Sequence, residues 1–177
     1  VYETLNHEIG HMWFPMMVGS NEPSYAWMDE GLTTYIEGYA TGDFWDDPEY
    51  WRNDQNAYLR VAGFEQETPM MRHADLHGPD GAGTYAFSAY WKPASMLRAL
   101  EAVIGQEAVW ASLQRYAASW IYRHPDPLDF FNAVEDVAGR DLDWFWHPFW
   151  YETAYLDQAI ESVEVVGGEA RLRWDIG

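Results

Sequence analysis

Two periods divide this chain. Over residues 87–104 apolar positions recur at the three-and-four spacing of a helix buried on one face, and the run stops at Gly105, a common helix terminator. Residues 106–122 read as a further helix halted by His124-Pro125, and 127–138 as another, with Asp126 as cap and Gly139 as terminator. Residues 141–152 are expected to form a short aromatic-rich helix. From Ala159 the period becomes two: Ile160, Val163 and Val165, then Gly167-Gly168, then Ala170, Leu172 and Trp174, the pattern of a β-hairpin.

Nearer the start, residues 1–13 predict a helix. Residues 14–24, with Pro15, Gly19, Asn21 and Pro23, predict a loop, and 26–39 a second helix. Asp47-Pro48 is expected to cap and open a helix running to about Glu65. Residues 67–84 hold Pro69, Gly78, Pro79, Asp80, Gly81 and Gly83 and show no period; an aperiodic stretch this long is expected to line a cleft. Pro93 is expected in the first turns of its helix or at a kink. The fold class is therefore mainly α. A two-stranded hairpin is marginal alone, so it is expected to open a further β-rich domain, with a helical domain over 1–156 and the hairpin over 157–177. No cap residue precedes the first helix, which reads as a segment of a longer protein.

The chemistry is concentrated in His7-Glu8-Ile9-Gly10-His11. On a helix, positions four apart lie about 40° from one another, so both imidazoles project from one face and can reach one metal ion. Zinc accepts such a pair, and a catalytic zinc keeps three protein ligands plus an open position. The third candidate is Glu30, with eighteen residues between His11 and Glu30, enough for a turn and a second antiparallel helix. Glu8 points to one side of the imidazoles and is placed to take a proton from the attacking water as general base.

Composition narrows the alternatives. In 177 residues there is no cysteine, so disulfides, thiolate metal sites and a cysteine nucleophile are excluded, and any metal rests on His and carboxylate. The net charge is −19, and Lys92 is the one lysine, so nucleic acid is not an expected partner. That acidity fits either a solvated surface or a salt-adapted, soluble bacterial or archaeal protein; cytosolic, periplasmic and secreted locations all stay open. No run of eighteen apolar residues is present to span a membrane. Aromatics make up 18% of the chain, with eleven tryptophans, and most are expected in a helix-packing core.

His11-Met12-Trp13-Phe14 and Trp27-Met28-Asp29-Glu30-Gly31, taken with the His-Glu-x-x-His motif, resemble the gluzincin aminopeptidases of the aminopeptidase N and leukotriene hydrolase type. Tyr85-Ala86-Phe87-Ser88-Ala89-Tyr90-Trp91-Lys92 extends the resemblance, which covers the chain to about Ser162. It implies the helical part of a thermolysin-like catalytic domain, one zinc ion, a peptide substrate, Tyr90 as oxyanion donor, and Glu37 and Tyr85 as auxiliary residues. Two positions depart from the family pattern: Pro15-Met16 replaces Gly-Asn, and Asp29 stands where Asn is common. The family's amine-binding Gly-x-Met-x-Asn segment would lie upstream of Val1. Function therefore rests between an aminopeptidase, an epoxide-opening hydrolase with the same zinc set, and a non-catalytic scaffold retaining the fold.

Overall fold

The computed structural model describes residues 1–78, 81–154, 158–167 and 169–176. Helix α1 (Tyr2–Gly10) leads through turns into a π-helical turn, Trp27–Gly31, that continues as α2 (Leu32–Trp45). Helix α3 (Arg52–Leu59) and a 3-10 turn (Ala74–His77) follow. Then α4 (Ala82–Ala86), a second π turn (Phe87–Trp91) and α5 (Lys92–Ile104) form one continuous helical run. Helices α6 (Gln106–Trp120), α7 (Pro127–Ala138) and α8 (Asp143–Trp146), the last extended by the π turn His147–Tyr151, complete the helical part. Strands β1 (Gln158–Val166) and β2 (Glu169–Ile176) pair antiparallel.

Where local chemistry sets the ends of an element, expectation and structure agree closely. Helix α7 spans residues 127–138 as expected because Asp126 Oδ1 accepts from the Leu128 and Asp129 backbone N–H groups, Asp129 Oδ2 accepts from Asp126 N–H, and Gly139 closes the helix at φ +66°. The hairpin pairs Val163 with Leu172 and Val166 with Glu169, and Gly167 turns at φ +63°. Gly168, Pro79, Asp80 and the expected boundary at residues 156/157 lie outside the described residues.

Elsewhere the ends differ from those expected. Helix α2 runs six residues past the expected Tyr39, to Trp45, and stops where Asp46 adopts a left-handed φ of +55°. Asp47 does not cap a helix to Glu65. Its carboxylate accepts from Glu49 N–H at 3.0 Å within a turn, and α3 begins only at Arg52 and ends at Leu59. The expected helix over 87–104 begins five residues earlier, at Ala82. Pro93 has no N–H and its ring crowds the carbonyl four residues back, and the helix widens into its π turn immediately before it.

An aromatic core underlies the first π turn. Trp27, fully buried, stacks on Phe131 with centroids 5.8 Å apart and meets Phe130 and Trp150 edge-on at 5.6 and 5.7 Å. Trp146 stacks on Phe131 at 4.6 Å. These rings come from α7, α8 and the turn after α8, so the carboxyl-terminal helices form the floor on which the first π turn rests. Trp13, Trp45 and Trp144, in contrast, are exposed.

Candidate active site

Two close backbone approaches assemble the site. A Cβ placed at Gly10, between the two histidines, would stand 2.8 Å from Thr33 Cγ2, so α1 and α2 cross there at a distance only glycine permits without a shift. A Cβ at Gly31, next to Glu30, would stand 2.5 Å from Pro93 Cγ and 3.0 Å from the Ala89 carbonyl oxygen. That contact presses the turn carrying Glu30 against the turn carrying Tyr90. Both residues therefore lie on π turns, Trp27–Gly31 and Phe87–Trp91. An extra residue in the helical ladder re-aims side chains, and such bulges are frequent at functional sites.

Glu30 is the meeting point. Its Oε2 lies 3.1 Å from His7 Nε2 and 3.3 Å from His11 Nε2, and its Oε1 accepts from the Tyr90 hydroxyl at 2.5 Å. The far nitrogens of both imidazoles are held as well. His7 Nδ1 is 3.4 Å from Glu37 Oε2. His11 Nδ1 lies 2.9 Å from the Phe14 carbonyl, which takes its N–H, and 2.7 Å from Asp29 Oδ1, which is left without a hydrogen-bond donor. Thr33 Oγ1 donates to the same Phe14 carbonyl at 3.1 Å. Each imidazole is thus oriented through Nδ1 so that Nε2 faces the carboxylate.

Charge follows geometry. Burial works against a protonated His7, but its hydrogen bonds to Glu30 and Glu37 outweigh this and push it up to about 9. Burial alone would raise Glu30; the contacts with His7 and Tyr90 instead hold it below the usual carboxylate range. Asp29 is pushed up to about 7 by burial, with the neighbouring Glu30 charge adding to it. The Tyr90 hydroxyl is raised by burial and by the Glu30 carboxylate, so it remains a proton donor across working pH.

The three donors fit zinc. Ligands about 2.0–2.2 Å from a tetrahedral zinc stand roughly 3.3–3.6 Å from one another, and the two Glu30–imidazole separations are within a few tenths of an ångström of that. His7, His11 and Glu30 each offer one ligand atom, all within 4.8 Å of one another. Glu8 is exposed on α1, and among the described residues no hydrogen bond or ion pair engages it. A cavity of about 580 Å³ opens beside the cluster, lined by His7, Thr34, Glu37, Asp54 and Tyr90 among others. Tyr85 packs edge-on against Tyr90 at 6.1 Å, and His77, from the aperiodic stretch expected to line a cleft, packs on Tyr85 at 5.5 Å.

Of the site residues singled out in the sequence, His7, His11, Glu30, Glu37, Tyr85 and Tyr90 fall in or beside this cluster, and Glu8 lies exposed on α1 next to His7 in the chain. Sequence reasoning missed the Asp29 carboxylate, the Phe14 carbonyl and Thr33 as partners of His11. Asp29 had one signal, its departure from the commoner Asn. A backbone carbonyl carries none.

The model for the peptidase family M1 domain matches residues 1–149. Aminopeptidase N of Streptomyces lividans is 29% identical over 169 residues, 91% of this chain and 19% of that protein. Aminopeptidase M1 of Arabidopsis thaliana is 25% identical over 140 residues, 77% of this chain and 16% of that protein. The chain thus spans about a fifth of the length of such relatives. Among solved structures, a mutant M1 zinc metallopeptidase from Deinococcus radiodurans bound to a Tyr-Ser-Ala substrate superposes with a TM-score of 0.70 at 21% identity, over 88% of this chain and 34% of that one. Native yeast LTA4 hydrolase gives 0.64 at 18%, over 86% and 26%. These two show the fold: the helical part of an M1 catalytic domain. With the family model matched from the first residue of α1 through α8, this chain belongs to peptidase family M1.

Proposed function

We propose that the chain carries the catalytic helices of a zinc-dependent peptidase of the aminopeptidase type, with His7, His11 and Glu30 as ligands. The observation that carries this reading is the convergence of two Nε2 atoms on one carboxylate oxygen, at 3.1 and 3.3 Å, beside a cavity. Zinc bound there supplies a Lewis acid and makes a water nucleophilic near neutral pH.

The chain's own residues do the rest. Glu8, exposed and without a partner among the described residues, takes the proton of the attacking water and passes it to the leaving amine. Tyr90 holds its hydroxyl on Glu30 Oε1 in the resting site, and turning that hydrogen bond toward the scissile carbonyl stabilises the oxyanion as it forms. Glu37 and the Phe14 carbonyl keep the imidazoles turned inward. The relatives named aminopeptidases favour removal of one residue from a peptide's amino end, and the hairpin fits the start of a further β-rich domain.

The test is Glu8→Gln in the full-length protein, assayed on aminoacyl amides alongside metal analysis. Zinc content is expected to stay at one ion while turnover falls by orders of magnitude, because Gln keeps the shape but takes no proton. Parental turnover in that variant would end the general-base assignment.

A further inference from the structure

Beyond the ligands and the hydroxyl, a buried ammonium remains without a role, that of the only lysine in the chain. Lys92 is two residues past Tyr90, where the π turn passes into α5. Its side chain is 1% exposed, and its ammonium donates to Glu67 Oε1 at 2.7 Å; the Glu67 side chain is 2% exposed. Glu67 is saturated from other directions too. The Tyr58 hydroxyl donates to Oε1 at 3.0 Å and the Gly63 backbone N–H to Oε2 at 2.7 Å. Lys92 also reaches the Glu152 carbonyl at 3.4 Å.

Stability alone does not account for such a pair. Removing two charges from water costs about what their attraction returns, and well-packed apolar residues of similar volume stabilise a core as well or better. What an ion pair can add is a fixed register. Here it ties together the end of α3, the loop after it and the turn bearing Tyr90. Helix α3 also supplies Asn53, Asp54 and Ala57 to the cavity wall facing His7 and Tyr90. On its other side the same turn is pinned by the Gly31–Pro93 contact. A π turn interrupts the regular register of the helix around it, so the contacts on either side decide where its side chains stand.

We propose that Glu67 and Lys92 are a positioning pair. They fix the Phe87–Trp91 turn against α3 and so set where the Tyr90 hydroxyl stands over the site. This rests on the oxyanion role given to Tyr90 above, and the test separates the two.

The test is a cycle in the zinc-loaded, full-length protein. Lys92→Met with Glu67→Gln removes the charges together, keeps the volume, and leaves the amide of residue 67 able to pair with Gly63 and Tyr58. This double variant is expected to bind one zinc and to lose about tenfold in kcat with KM unchanged. In the parent, Tyr90→Phe is expected to cost about a hundredfold in kcat. In the double variant it should cost tenfold or less, because a misplaced hydroxyl has less to lose. A full hundredfold there, or an undiminished kcat in the double variant, overturns the pair's role while leaving Tyr90 as donor. No loss from Tyr90→Phe in the parent overturns the oxyanion reading and this inference with it. Should the double variant fail to fold, Lys92→Arg decides: the longer planar head keeps the charge but shifts the contact. It is expected to lower kcat about threefold at full zinc content, and parental kcat with parental cost of Tyr90→Phe overturns the proposal.

Discussion

Glu30 and Glu67 are both carboxylates turned inward, and both take a hydrogen bond from a tyrosine, Tyr90 at 2.5 Å and Tyr58 at 3.0 Å. They differ in what balances their charge. At Glu67 the cation is Lys92, part of the chain, and the pair is sealed from solvent at 1% and 2% exposure. At Glu30 the partners are two imidazoles, whose Nε2 atoms offer lone pairs once deprotonated, and the carboxylate keeps 15% exposure beside a cavity. A carboxylate compensated by a covalent cation is a strut, whereas one facing lone-pair donors is a place for a cation that comes and goes.

That contrast is open to attack from either side. The largest effect is expected at the open carboxylate. Glu30→Ala should lose zinc on dialysis and turnover with it, while the metal-free melting temperature moves by less than about 3 °C. Atomic absorption giving the parental one ion per chain would end its assignment as ligand.

The closed carboxylate should behave in the opposite way. Lys92→Met alone strands a buried negative charge and is expected to cost about 3–5 kcal/mol in metal-free urea unfolding. A loss below about 1 kcal/mol would show that Glu67 is not sealed, and the contrast would collapse.

Gly31→Ala probes the joint between the two regions. The methyl group must displace Pro93 or the Ala89 carbonyl, which is expected to cost about 1–3 kcal/mol of stability. It should also weaken the Glu30–Tyr90 contact, read as reduced kcat at full zinc occupancy. Wild-type stability would place the two turns further apart than the structure has them.

The smallest effect is the most direct probe of the open site's charge. Folded His7 titrates near 9 rather than 6.5, so in the metal-free protein its contribution to stability is complete below pH 6.5 and is lost as pH rises through about 9. Zinc must displace that proton, so its affinity should climb between those values, by up to about tenfold per pH unit. Competition with a chromophoric chelator, corrected for the chelator's own protons, measures it. A flat profile would remove His7 from the ligand set.

Much of the site was legible before any coordinates. His7 and His11 share a helix face because four residues make about one turn, and that periodicity needs no tertiary information. Helix α7 was equally plain, since Asp126, Pro127 and Gly139 act within one turn of where they stand. The third candidate ligand, Glu30, was reachable through spacing and motif context. Tyr90, Tyr85 and Glu37 were reachable only through resemblance, because an aromatic or a glutamate on a helix looks the same in a core, on a surface or over a metal.

What the sequence by itself determined is therefore local: the helical and hairpin periods, the cap and terminator of α7, and two imidazoles on one face. The tertiary structure alone decided the π turn under Glu30, the Asp29 and Phe14 contacts to His11, and the pairing of Glu67 with Lys92 across twenty-five residues. The reason is physical. A cap or a period is satisfied by neighbours in the chain. A widened turn, a glycine crossing or a buried charge is satisfied only by what another segment brings to it, and identical residue types carry no mark of which segment that will be.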